Sequence, residues 1–241
     1  MHDELGTILG VFGHPDDETY LMAGLMAHAA ANGNRVVCVT ATKGEGGSWD
    51  EKRWPSETMG EVRANELEES MRLLGVKEHH WLGYIDATCA DVPMDEGVAA
   101  VLPFINDVRP DTVFSFGPDG MTDHADHKAV SAWTTEAFRR TAKPGAKLYY
   151  ATATKEWAEE FVPRLNKFNV FAPGFPPVTS ADEPGAIQYA LPPELLELKL
   201  QAIERHVSQV EYMLKYFGED FFREAHKEEY FRLAEVAAAS S

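Results

Sequence analysis

Apolar residues recur along the chain in two alternating rhythms. Residues 7–13, Thr-Ile-Leu-Gly-Val-Phe-Gly, form a short apolar run ending at glycine, the look of a strand buried on both faces. Residues 19–32 are rich in Leu, Met and Ala and are stopped by Gly33-Asn34, which predicts a helix; residues 35–42 predict a second strand. That is one β-α-β unit. The alternation continues with a helix near 58–74 stopped at Gly75, a weak strand at 79–82, a helix near 95–108, a strand at 112–116, a helix near 124–140 and a strand at 147–151. Strands alternating with helices predict an α/β fold: one Rossmann-like, doubly wound, mostly parallel sheet covered by helices on both faces.

The rhythm breaks after residue 155. Pro163, Pro173, Pro176, Pro177, Pro184, Pro192 and Pro193 disfavour helix interiors, so residues 156–193 are expected to form an irregular, lid-like Pro-rich loop region. Beyond it Leu195, Leu198, Ile203, Val207, Val210 and Leu214 return at helical spacing over 194–217, and 219–236 reads as a closing helix. The expected organisation is therefore a single domain over 1–241: an α/β core over 1–155, the loop region, and a C-terminal helical extension over 194–241 packed on the sheet.

Composition narrows the partners. With 44% hydrophobic and 25% charged residues the chain can bury a substantial core. A formal charge of -17, from 22 Lys+Arg against 39 Asp+Glu and with no basic cluster, repels phosphate backbones and anionic membranes. Nucleic acid and membrane insertion are thus excluded as expectations, a small molecule is the expected partner, and homo-oligomerisation stays open. The two cysteines, Cys38 and Cys89, have no CxxC neighbours and do not make a disulfide framework. The apolar stretch after the first residues is too short for a signal peptide, and a reducing, cytoplasmic setting is the expectation.

Two motifs carry candidate chemistry. Directly after the first strand stands Gly13-His14-Pro15-Asp16-Asp17-Glu18, at the carboxyl end of a strand, where open α/β sheets bind ligands. His14 and Asp17, three residues apart across a turn, can converge on one small cation such as Zn²⁺, which leaves Asp16 free. Such an acidic first turn can equally well only cap a helix. The second motif, Gly117-Pro118-Asp119-Gly120-Met121-Thr122-Asp123-His124-Ala125-Asp126-His127, again follows a strand and enters a helix. Its competing reading is a polar helix start capped by Asp123. His124 and His127 share a helical face. If the strand ending at Phe116 lies beside the first, both motifs meet in one crevice, where His14, Asp17 and one of His124 or His127 give the three protein ligands of a catalytic zinc site.

His14-Pro15-Asp16-Asp17-Glu18 and His124-Ala125-Asp126-His127 resemble the two motifs of the LmbE-like, or PIG-L, family of zinc de-N-acetylases. Lys43-Gly44-Glu45-Gly46-Gly47, Arg63 with Glu66, and His206-Val207-Ser208-Gln209 look like further landmarks of that family, so the likeness covers most of the chain. It implies one Zn²⁺ per chain, with Fe²⁺ as the alternative, held by His14, Asp17 and His127. It further implies Asp16 as general base toward a zinc-activated water, with His124 stabilising the oxyanion or protonating the amine. Asp126 is placed to orient a histidine ring. The implied activity is hydrolysis of the N-acetyl or N-acyl amide of an amino-sugar substrate. Some sugar-thiol deacetylases of the family carry tyrosine two residues before the first histidine of the second motif; Thr122 stands here, which argues against a tyrosine-assisted route.

Arg63 and Asp86 are expected at the substrate, the first to hold sugar hydroxyls or an acidic substituent, the second as a strand-end group reaching the pocket. Trp49 and Trp54 are candidate stacking platforms, whereas the adjacent His79 and His80 face opposite sides of a strand and read as structural. Three rivals differ in class. A nucleotide-dependent enzyme lacks its G-x-G-x-x-G turn here, and carboxylates in its place repel a pyrophosphate. A metal-dependent phosphoesterase needs more ligands than the motifs offer for two metals. A non-catalytic carbohydrate-binding or regulatory protein would retain the pocket, and the presence of Asp16 counts against it. Beside these, a single-metal hydrolase of another amide or ester remains compatible with the motifs.

Overall fold

The computed structural model describes residues 5–172, 174 and 177–236. In chain order the elements are β1 (Ile8–Phe12), α1 (Asp17–Ala31), β2 (Val36–Thr42), α2 (Ser56–Leu73), β3 (Glu78–Tyr84), α3 (Met94–Val108), β4 (Thr112–Ser115), α4 (Gly120–Asp123), α5 (Ala125–Thr141) and β5 (Lys147–Ala151). These are followed by α6 (Lys155–Leu165), β6 (Ile187–Ala190), α7 (Pro193–Arg205), α8 (Val207–Phe217), α9 (Glu219–His226) and β7 (Glu228–Leu233). The strands form one sheet in the order β3-β2-β1-β4-β5-β7-β6. The first five run parallel, and the last two are antiparallel additions at one side.

All five residues of β1 and all seven of β2 are buried, which is why these segments read as unbroken apolar runs instead of alternating ones. β1 pairs in parallel with β2 on one side and with β4 on the other, Ile8 lying opposite both Val36 and Thr112. The chain therefore leaves the carboxyl ends of β1 and β4 in opposite directions, and a crevice opens between the two following loops. Helix α3 packs closely on α5 because Gly97 leaves room for Trp133: a Cβ at Gly97 would stand 2.1 Å from the indole.

The last third differs from the expectation in three places. Residues 219–236 are not one helix; α9 ends at His226 and 228–233 form β7, a strand between β5 and β6. Without it the open edge of β5 would present unpaired backbone groups, and Phe231, fully buried 4.7 Å from the Phe114 ring, fills the core there. Helix 194–217 breaks at His206 (φ −81°, ψ 53°) into α7 and α8. The Pro-rich region holds α6, whose N-terminus is capped by Thr154 Oγ1 accepting the Trp157 N–H, and the short strand β6. Pro173 and Pro176, and residues 237–241 of the expected extension, lie outside the described residues.

One buried ion pair ties β7 to the first helix. Helix α1 is kinked at Met22 (φ −141°, ψ 18°), which frees the Gly24 and Leu25 N–H groups to donate to the Glu229 carboxylate at 2.8 and 2.9 Å. Lys199 Nζ of α7 donates to the same carboxylate at 2.8 Å. Among the described residues no helix is long and apolar enough to cross a membrane.

Candidate metal centre and active site

The first motif is a tight turn between β1 and α1 held by its own side chains. Asp17 Oδ2 accepts the Gly13 N–H at 3.1 Å and the His14 N–H at 2.7 Å, so the carboxylate folds back over the turn instead of capping the helix from outside. Asp16, the residue before the helix, makes no side-chain cap bond and sits at φ 110°, a left-handed conformation that costs a non-glycine residue about 1–3 kcal/mol. The buried Glu18 carboxylate accepts the Asp16 N–H at 3.3 Å and the Thr19 hydroxyl at 2.6 Å.

Two imidazoles face each other across the crevice, His14 Nδ1 and His127 Nε2 lying 3.0 Å apart. Each ring has its far nitrogen occupied. His14 Nε2 is 3.0 Å from Asp86 Oδ1 and 3.3 Å from Asp126 Oδ2, and His127 Nδ1 is 3.0 Å from the Gly120 carbonyl. The carboxylates and the carbonyl can only accept, so the far nitrogens donate to them and the two facing nitrogens are the ones left to bind a cation. Asp17 stands beside both, 3.6 Å from His14 Nδ1 and 3.3 Å from His127 Nε2. Two lone pairs and a carboxylate converging in a buried place repel each other unless a positive charge lies among them. The donor set of two imidazoles and one carboxylate suits a borderline divalent cation, and it fits the metal that the motifs imply.

The electrostatics point the same way. Burial alone lowers an imidazole pKa, but hydrogen bonds donated by the His14 ring to Asp126, Asp17 and Asp86 override it and hold His14 well above its usual value. Burial lowers His127 to about 4, against the pull of Asp17. Burial would raise Asp17, yet its contacts with His127 and His14, including the His14 backbone N–H, hold it far below the carboxylate range.

Asp16 is the exception among these carboxyls. Burial pushes it up to about 7, partly offset by Arg63, whose Nη2 is 3.2 Å from Asp16 Oδ2. Asp16 is therefore not free, as its position in the turn suggests, but held by the guanidinium. Arg63 also donates to the Gly44 carbonyl at 3.1 Å and the Pro15 carbonyl at 2.6 Å, while its Nε is buried without a partner. Gly44 (φ 65°) permits this contact, since a Cβ there would stand 2.1 Å from Nη1.

The second motif enters through α4 and α5. His124, not Asp123, caps α5: its Nδ1 accepts the Asp126 N–H at 3.2 Å, which leaves Nε2 as the proton-bearing nitrogen. The His124 ring is exposed, lines the cavity and lies 4.7 Å from the His14 ring. Asp126 is fully buried and accepts the Ala87 N–H at 2.8 Å and the Cys89 N–H at 3.0 Å, fixing the loop after β3 beneath His14. Asp86 is anchored by the Gly46 N–H at 3.0 Å. Both three-residue clusters able to hold an ion among the described residues, His14-His124-His127 and His14-Asp86-Asp126, contain His14, so they are parts of one centre.

The remaining candidates separate. Trp49 stands half-exposed on the cavity rim, whereas Trp54 stacks with Arg53 away from it. His79 bonds to Thr40 Oγ1 at 2.9 Å and His80 packs on Phe104, both remote from the centre. His206 Nε2 is 3.1 Å from Thr19 Oγ1, Ser208 donates to Glu66 through backbone and hydroxyl, and Gln209 holds the Gly47 carbonyl. These residues brace the loops that carry the centre.

A cavity of about 650 Å³ opens beside the cluster, lined by His14, Asp16, Asp17, Arg63, His124 and His127 on one wall. The opposite wall, from Trp157, Phe171 and Phe222, is one the sequence reading missed, because its residues fall in the segment read as a loop and in the final helices.

Residues 9–138, which contain both motifs, match the family model described as PIG-L, GlcNAc-PI de-N-acetylase. The chain belongs to the PIG-L family. A 1D-myo-inositol 2-acetamido-2-deoxy-alpha-D-glucopyranoside deacetylase of Mycobacterium sp. (strain JLS) is 30% identical over 176 residues, 64% of this chain and 57% of its own length. The protein of that name from Streptomyces scabiei is 29% identical over 88% of this chain and 78% of its own. Among solved structures, an N,N'-diacetylchitobiose deacetylase from Pyrococcus horikoshii superposes with a TM-score of 0.72 at 23% identity, over 96% of this chain and 85% of that one, a likeness of fold.

Proposed function

We propose that this PIG-L family chain hydrolyses the N-acyl amide of an amino-sugar substrate, using one divalent metal held by His14 Nδ1, Asp17 and His127 Nε2. The observation that carries the reading is that two imidazole nitrogens lie 3.0 Å apart beside the Asp17 carboxylate, with both far nitrogens bonded to acceptors. Zn²⁺ suits this set, and Fe²⁺ is the alternative by ligand type. Bound there, the metal supplies Lewis-acid polarisation of the amide carbonyl and a lowered pKa for a water.

The chain's own groups supply the proton traffic. Asp16, on the cavity wall and outside the ligand set, accepts the water proton at a carboxylate oxygen. His124, with Nδ1 tied to the Asp126 N–H, donates a hydrogen bond from Nε2 to the developing oxyanion, and the proton that Asp16 has taken from the water is returned to the departing amine. Asp86 and Asp126 hold His14 in the tautomer that directs Nδ1 to the metal. Arg63 keeps the Asp16 carboxylate aimed and the 44–47 loop closed, and its cavity face orients substrate hydroxyls. N-acetylglucosaminyl compounds are the first substrates to try, as the relatives' names indicate.

The test is release of primary amine from N-acetylglucosamine and its glycosides, chito-oligosaccharides and inositol-linked forms, with and without chelator, beside metal analysis. Chelator-sensitive amine release and one equivalent of metal, lost in His14→Ala, are expected. Turnover that survives complete metal removal refutes the reading.

A further inference from the structure

The segment matched by the family model ends at residue 138, yet the cavity continues on residues beyond it. Trp157, Leu165, Val170, Phe171, Met213 and Phe222 form a wall drawn from α6, the segment after it, α8 and α9. Its polar atoms are already committed. The Trp157 indole N–H donates to the Ala225 carbonyl at 2.8 Å, so only ring hydrocarbon is left for the cavity. Phe171 is held by its backbone N–H to Asn166 Oδ1 at 2.9 Å, and its neighbour Ala172 donates to the Thr122 carbonyl at 3.1 Å, which locks this wall to the second motif. Trp157 packs edge-on to Phe171, with ring centres 6.5 Å apart.

The titratable groups in this part of the cavity are quenched. His226 is half-buried between Tyr20 and Phe222, and desolvation lowers its pKa to about 3, so it is neutral. The Glu229 carboxylate is saturated by Lys199 and two backbone N–H groups, and Glu228 accepts the Tyr230 hydroxyl. No free cation among these groups would attract an anionic tail, and the chain's charge of -17 opposes one.

We infer that the site takes substrates bearing an uncharged apolar substituent, aryl or alkyl, which lies against the Trp157-Phe171-Phe222 wall while the amide sits at the His14-His127 centre. This rests on the N-acyl hydrolase reading and adds a specificity to it. The volume agrees: about 650 Å³ lies in the middle of the range for drug-sized ligands, roughly 300–1,000 Å³. The apolar group can be carried on the sugar's glycosidic oxygen or in the acyl chain itself, and the two are separated by experiment.

The purified metal-loaded chain is assayed for amine release on two series. One is the methyl, hexyl, octyl and phenyl glycosides of N-acetylglucosamine; the other is methyl glucosaminide acylated with acetyl, hexanoyl or octanoyl. Each buried methylene is worth roughly three- to fourfold. With about three of the added methylenes buried, kcat/KM in one series is expected to rise by roughly thirtyfold or more from the smallest to the six-carbon member. In Val170→Asp, at a partly buried wall position, the ratio of long to short substrate collapses toward one. Calorimetric binding of methyl and octyl glucosaminide, which need no hydrolysis, gives the same comparison independently of turnover. Flat kcat/KM in both series alongside steady turnover of the methyl compound overturns the inference and leaves the hydrolase reading standing. Absence of amine from every compound overturns the hydrolase reading, and calorimetric ratios then decide the apolar wall alone, octyl over methyl glucosaminide and, being unhydrolysed, N-octanoyl over N-acetyl methyl glucosaminide: both ratios near one sink it and either at tenfold or more upholds it.

Discussion

The two walls of the cavity are held by different forces. On the wall built by β1 to α5, nearly every polar atom has a designated partner: Asp126 takes two backbone N–H groups and His14, Asp17 takes two backbone N–H groups and stands against both imidazoles, and Asp16 is pinned by Arg63. On the wall built from residue 157 onward, contact is made by rings and aliphatic chains whose few polar atoms are occupied elsewhere. A network of charge-assisted bonds in a buried place is intolerant, because each deletion strands a partner. An apolar wall accepts volume changes at modest cost. The same cavity can therefore keep its chemistry fixed while the groups that select substrates vary.

The largest effect should come from the polar wall. Asp16→Asn removes the carboxylate proposed as proton acceptor and keeps the shape and the proposed metal ligands, so kcat is expected to fall by roughly 10²–10⁴-fold with bound metal unchanged. Kinetics beside metal analysis check this. A loss of metal equal to the loss of rate would make Asp16 a ligand instead of a base, and the comparison between its role and that of Asp17 would break.

The next effect crosses between the regions. Lys199→Met leaves the Glu229 carboxylate buried with only the Gly24 and Leu25 N–H groups for company. Removing one member of a buried pair costs about 3–5 kcal/mol, which for a chain of this size lowers Tm by roughly 10 °C. Thermal unfolding reads it directly. An unchanged Tm would mean that the α1 kink is satisfied by the backbone alone.

Asp126→Asn is smaller and sharper. An amide has one acceptor oxygen where the carboxylate has two, so it cannot serve the Ala87 and Cys89 N–H groups and His14 together. Metal affinity is expected to drop by roughly 10–100-fold, measured by chelator competition. Affinity equal to that of the unaltered chain would assign the orientation of His14 to Asp86 alone.

These contrasts also explain which features the sequence displayed. The parallel half was legible because strands buried on both faces leave uninterrupted apolar runs, as in Ile8–Phe12, and because glycine marks the helix ends. The meeting of the two motifs followed from β1 and β4 being neighbours at the point of reversal, where the topology leaves few choices. The C-terminal third was not legible in that way. Glu228–Leu233 becomes a strand because the β5 edge needs a partner, a demand made by distant residues and absent from the local pattern. The prolines drew attention away from α6, although Pro163 sits only in its last turns, and the cavity wall was lost with it. The link from Asp86 to His14 was equally invisible, since 72 residues of chain separate partners that the sheet brings to 3.0 Å.

The mildest expected effect tests whether the apolar wall is as forgiving as the comparison holds. Trp157→Phe keeps an aromatic ring against Phe171 but deletes the indole N–H that serves the Ala225 carbonyl. That carbonyl belongs to the last turn of α9, where helical carbonyls have no partner within the helix, and the chain turns directly into β7 beyond it. Stranding it costs about 1–3 kcal/mol, and Tm should fall by roughly 2–6 °C. The accompanying loss of kcat on the smallest glycoside should be far less than that of Asp16→Asn, because no polar atom of the metal wall depends on the indole. A loss of kcat comparable to that of Asp16→Asn would show the two walls to be mechanically coupled through the Ala172 to Thr122 bond, and the separation of chemistry from selection would fail.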